Sequence, residues 1–163
     1  MKFCDIIVIS GGSSQGKKDM TARLINEVAS PGVFVHGIAL KPGKPTILGY
    51  DQHSGTLFVG LPGHPVAAMV VFELLVGWLH KKLMHHPDKY TLTACMETNY
   101  ASAPGKTTCL LVKLLPASNG LVARPILGKS GLITTMTQAD GYVLVDLNKE
   151  GLKAGEEVQV HLF

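Results

Sequence analysis

Twice, over residues 5–20 and 56–68, the chain passes from a short apolar run through a glycine turn into a helical pattern. Residues 5–10 (DIIVIS) are apolar at consecutive positions, which reads as a strand buried on both faces and stopping at Gly11-Gly12. Residues 19–29 carry Met20, Leu24, Ile25 and Val28 at helical spacing, with Pro31-Gly32 as the stop. Residues 33–40 read as a second strand. Residues 46–50 and 56–60 read as a hairpin around 51–55. Two prolines flank a glycine in KPGKP (41–45), which excludes regular structure there. After the tight loop 61–64, Pro65 suits the first turn of a long apolar helix that weakens at His80-Lys-Lys82.

The pattern changes at His85-His86-Pro87-Asp88, the best linker in the sequence. Segments 91–98, 108–114, 121–125, 142–146 and 156–162 are short, β-branched and separated by turn residues, as in a small barrel or sandwich. A polar stretch, 128–140, has room for one helical turn. The expected organisation is an α/β domain at 1–86 and a small all-β domain at 87–163.

Composition narrows the function. Of the 163 residues 46% are hydrophobic, enough for a real core, and the mean hydropathy is positive. The most apolar run, 65–79, contains Glu73 and is too short to span a bilayer, so no membrane association and a cytoplasmic location are expected. The net charge of +3 is dispersed in loops and only 6% of residues are aromatic, so no nucleic-acid stripe forms. Cys4, Cys95 and Cys109 have neither disulfide nor metal spacing, and read as buried thiols.

Three loops carry the chemistry. In Ser10 to Met20 (SGGSSQGKKDM), Gly11, Gly12 and Gly16 allow close backbone approach and the following helix start favours an anion. Ser13 and Ser14 can bond phosphate oxygens. The spacing is neither a Walker A loop nor a dinucleotide fingerprint. Asp19 is either a helix cap or a Mg²⁺ ligand. In KPGKP, Lys41 and Lys44 either converge on an oxyanion or are solvated. In GLPGHPVAA (60–68), Pro62, Gly63, His64 and Pro65 form a strand–turn–helix start. His64 either bonds a ligand or serves the backbone.

Taken together, GGxSxG with an acidic residue after it, KPGKP and GLPGxPV resemble the molybdopterin molybdotransferase family, the MoeA and gephyrin E-domain proteins. Gly128-Lys-Ser-Gly131, Ala139-Asp-Gly141 and LKAGEEV (152–158) are similar to its final β-domain. The resemblance implies a truncated doubly wound sheet of the molybdopterin-binding type followed by a small β-barrel. It implies Mg²⁺-dependent insertion of molybdate into adenylylated molybdopterin. Carried over by position, Asp19 is the catalytic and Mg²⁺-associated carboxylate, and Gly11, Gly12, Ser14 and Gly16 contact the pterin nucleotide. Lys41, Lys44, Pro45 and Ser130 bind the oxyanion.

The sequence departs from that pattern at His64, where the family carries Asn, at Ala67, where it carries Ser, and at Lys106, where it carries Arg. The family's domain also opens with elements that have no counterpart ahead of residue 5. Two functions are therefore kept: the C-terminal piece of a molybdotransferase, inactive by itself, or a non-catalytic module that binds molybdopterin or an oxyanion for sensing or delivery. The apolar first strand in so small a sheet predicts a homo-oligomer associating through the first domain.

Overall fold

The computed structural model describes residues 4–11, 20–86, 91–128 and 133–163. They form two compact units, Met1–Ile38 with Gly43–Gly77, and Ala39–Pro42 with Trp78–Phe163.

The first unit holds strands β1 (Ile6–Ser10), β2 (Pro31–His36), β4 (Ile47–Asp51) and β5 (Thr56–Leu61), in the order β1-β5-β4-β2. β1 runs parallel to β5, and the hairpin β4–β5 and the pair β2–β4 are antiparallel. Helix α1 (Met20–Val28) buries Thr21 and Ile25. Ile25, Ile47 and Phe58 form a core against which Ile7, Ile9, Ala22 and Val33 pack. The approach is close because glycine faces the helix: a Cβ at Gly49 would collide with the Ile25 side chain, and one at Gly60 would lie 2.9 Å from Thr21 Cγ2. The expected hairpin is present. Asp51 closes it by accepting bonds from the Ser30 and Ser54 amides and the Ser54 hydroxyl.

Residues 65–83 are helical throughout, as α2 (Pro65–Val71), a π-helical segment (Phe72–Gly77) and α3 (Trp78–Leu83). Pro65 occupies the first turn as expected. No helix of the described residues is long and apolar enough to cross a membrane.

The second unit is a small β-barrel. β6 (Thr91–Met96), β8 (Thr107–Ala117), β9 (Gly120–Pro125), β10 (Gly141–Val145) and β12 (Glu157–Leu162) pair in the order β10-β12-β6-β9-β8, and β10 pairs again with β8 to close the ring. β8 is long enough to pair β10 through Thr108–Val112 and β9 through Val112–Ala117. Two-residue strands β7 (Tyr100–Ala101) and β11 (Gly151–Leu152) pair with each other, and α4 (Ile133–Thr137) supplies the expected helical turn. The interior is Ala94, Met96, Leu110, Val112, Val143, Val145, Val158 and Val160.

Four expectations are corrected. Among the described residues β1 pairs with β5 alone, and Val8 is 40% exposed, so the face of β1 that carries Val8 is not buried as expected. Pro31 and Gly32 begin β2 rather than only ending the helix, and the strand stops at His36 instead of running to residue 40. Leu40–Lys41 instead forms β3, parallel to β8 in the barrel sheet, so part of KPGKP is regular structure. Cys4 and Cys95 are exposed, and only Cys109 is buried, where burial pushes its thiol up to about 12.

Candidate functional site

The sheet registers bring three connections to one end of the first unit. Ser10 pairs with Leu61 at the carboxyl ends of the parallel strands β1 and β5. Ile47, where β4 begins, pairs with Gly60 near the end of β5 and with His36 at the end of β2. The loops after Ser10 and Leu61 and the connection 37–46 therefore leave or enter the sheet at the same edge of its strands. In an α/β sheet the carboxyl end of adjacent parallel strands is where ligands bind.

Side chains the sequence reading passed over hold these loops. Gly11 turns out of β1 with φ +83°, its amide donating to the Leu61 carbonyl at 3.4 Å. Its carbonyl accepts the Thr21 hydroxyl at 3.0 Å, which ties the exit of β1 to the first turn of α1. Thr46, fully buried, donates its hydroxyl to the Gly43 carbonyl at 2.6 Å and its amide to the Lys44 carbonyl at 2.9 Å. The Ile38 amide also donates to that carbonyl. A hydroxyl residue just beyond the first glycine turn and beyond the lysine turn was the signal, and it does not distinguish a buried strut from an exposed polar residue.

The candidate residues fall into two groups. In the third loop Pro62 is buried, whereas Gly63, His64 and Pro65 are exposed. His64 is the residue before α2. Its carbonyl accepts the Ala68 amide, and its side chain makes no cap. Ala67 is buried. Lys41 and Lys44 are both exposed, with Gly43 between them buried and Pro45 after them half-buried. Lys41 belongs to β3 of the second unit and Lys44 to the first. Gly12, Ser13, Ser14, Gly16, Asp19 and Ser130 lie outside the described residues. Among the described residues no group of three His, Cys, Asp or Glu side chains could hold a metal ion.

Two family descriptions match. Residues 1–86 match the family described as probable molybdopterin binding domain, and residues 93–163 match the MoeA C-terminal region, domain IV. The chain belongs to the molybdopterin-binding domain family and carries the MoeA-type C-terminal β-domain behind it. It is 33% identical over 159 residues to a Methanocaldococcus jannaschii protein described as a molybdopterin biosynthesis protein, covering 97% of this chain and 36% of that one. It is 29% identical to a molybdopterin molybdenumtransferase of Synechocystis, covering 93% of this chain and 36% of that one. The solved molybdopterin biosynthesis MoeA protein of Pyrococcus horikoshii superposes with a TM-score of 0.77 at 38% identity, covering 98% of this chain and 37% of that one. The fold is thus the molybdopterin-binding α/β type followed by a β-barrel, and the chain spans little more than a third of these relatives.

Proposed function

We propose that this chain supplies the pterin- and oxyanion-binding part of a molybdopterin molybdotransferase, acting in the insertion of molybdate into adenylylated molybdopterin. The observation that carries the reading is the shared sheet end. The β1 and β5 exits lie side by side, and the connection bearing Lys44 begins and ends there. Backbone amides at a glycine turn followed by a helix favour phosphate groups, so the two turns suit the nucleotide portion of such a substrate. Lys41, Lys44 and Ser130 suit the oxyanion. Ammonium groups and a hydroxyl stabilise its negative charge and orient it toward the pterin. Mg²⁺, when bound, would screen Asp19 from the phosphate and polarise a phosphoryl oxygen.

Asp19→Asn tests this reading, because Asn caps a helix about as well as Asp. The variant is expected to keep its melting temperature and lose the gain in pterin-nucleotide affinity that Mg²⁺ gives the parent. A variant that retains the whole Mg²⁺-dependent gain would make Asp19 a cap and remove the metal from the reading. The second reading is binding for sensing or delivery without turnover. It predicts tight pterin binding with no product even when molybdate and Mg²⁺ are supplied.

A further inference from the structure

The connection 37–46 is closed at its neck by backbone bonds within the first unit. The Gly37 amide donates to the Thr46 carbonyl at 2.8 Å, and the Ile38 amide donates to the Lys44 carbonyl at 3.0 Å. The Thr46 amide donates to that same Lys44 carbonyl at 2.9 Å, which makes Lys44-Pro45-Thr46 a three-residue turn. Pro45 suits its centre, because the ring fixes φ and leaves no amide to pair. Just before it Gly43 turns with φ +135°, a region that glycine enters readily.

One side-chain bond completes this neck. The Thr46 hydroxyl donates to the Gly43 carbonyl at 2.6 Å, and both residues are buried, Thr46 fully. A buried carbonyl left without its donor is costly, so the bond resists being broken. The branched Cβ of threonine also restricts χ1, which keeps the hydroxyl aimed. Ile47, the next residue, is fully buried and pairs with His36 and Gly60, so Thr46 leads straight into a fixed point of the sheet. A peptide group is planar, and the two that flank the Lys44 Cα are each held by Thr46. Its hydroxyl holds the carbonyl of the Gly43–Lys44 peptide, and its amide holds that of the Lys44–Pro45 peptide. With both planes pinned, φ and ψ of Lys44 are set, and with them the direction in which its side chain departs.

We propose that Thr46 is a positioning residue for oxyanion binding and acts through Lys44. The inference rests on the role proposed above for Lys44. Thr46 is fully buried and does not itself meet a ligand, whereas Lys44 is exposed. A lysine ammonium sits on a long flexible stem, and ordering that stem opposes binding. Fixing its base in advance removes part of that cost. Loss of the hydroxyl therefore lowers oxyanion affinity only while the Lys44 ammonium is present. It leaves the affinity for the pterin, which is assigned to the loops after Ser10 and Leu61, unchanged.

Calorimetric titration of the full chain with molybdate and, separately, with molybdopterin tests this. Thr46→Val keeps the shape and removes the hydroxyl. It is expected to weaken molybdate binding about tenfold and to leave molybdopterin affinity unchanged. Thr46→Ser, which keeps the donor, is expected to bind molybdate within about twofold of wild type. In a Lys44→Ala background Thr46→Val is expected to cost less than about twofold, because no ammonium is left to place. Gly43→Ala, which strains the acceptor residue at its positive φ, is expected to show the same selective loss as Thr46→Val. Equal molybdate affinity in wild type and Thr46→Val overturns the inference. So does an equal loss with and without Lys44, or a loss of molybdopterin binding as well, since each makes Thr46 a support of the fold alone. A wild type that binds no molybdate overturns the reading of Lys44 itself, and this inference with it.

Discussion

Lys41 and Lys44 are three residues apart, yet Lys41 belongs to a strand of the barrel sheet and Lys44 to a turn braced by buried Thr46. Both side chains are exposed. Lys41→Ala and Lys44→Ala are each expected to weaken molybdate binding by about 1.5–3 kcal/mol, the worth of a charged hydrogen bond. Equal affinity in wild type and the double variant, measured by calorimetry, would make the pair solvated. The turn at Gly43 was legible in the sequence from the prolines and glycine of KPGKP, although Lys41 itself lies in a strand. The assignment of Lys41 and Lys44 to different units was not, since the pairing of Leu40–Lys41 with Thr107–Thr108 joins positions far apart in the chain. The cysteines show the same limit. Cys95 sits in a strand that sequence identifies, but its exposure depends on which way that strand faces.

At the scale of elements, the β4–β5 hairpin and its glycines fix the sheet end. Asp51 is half-buried, and its carboxyl is drawn down from near 3.8 to about 2, chiefly by the Ser54 hydroxyl and then by the Ser30 and Ser54 amides. A carboxyl that titrates lower in the folded than in the unfolded chain stabilises the fold above its unfolded value, and that contribution fades as pH falls toward the folded one. Asp51→Ala is therefore expected to melt below wild type at pH 6, with the gap closing as the pH is lowered from about 4 toward 2. A gap independent of pH would mean that the carboxylate's ionisation does not support the turn. Gly49 answers to α1, because a methyl there would meet Ile25. Gly49→Ala is expected to cost about 1–3 kcal/mol of stability in denaturant titration, and an unchanged midpoint would contradict the close helix–sheet packing. Turn residues and helical spacing made the hairpin, α1 and α2 readable from sequence. The exposure of Val8 on β1 was not, since an apolar run looks alike whether one face of it is covered or both.

For the molecule as a whole, an α/β unit of the molybdopterin-binding type and a closed β-barrel follow one another in a chain that spans little more than a third of its relatives. The strand-and-turn rhythm beyond residue 90 was enough to anticipate the barrel. Its closure was not legible, because it depends on β8 being long enough to pair with both β9 and β10. The central claim is that the loops at the β1–β5 end bind a pterin with its phosphate rather than a common nucleotide. Their glycine spacing matches neither standard nucleotide loop, so NAD and ATP are the informative competitors. Calorimetric titration of the full chain with molybdopterin, ATP and NAD tests this most directly. The account predicts saturable one-site binding of molybdopterin that excess ATP or NAD does not displace. Affinity for ATP or NAD equal to or above that for molybdopterin would contradict it.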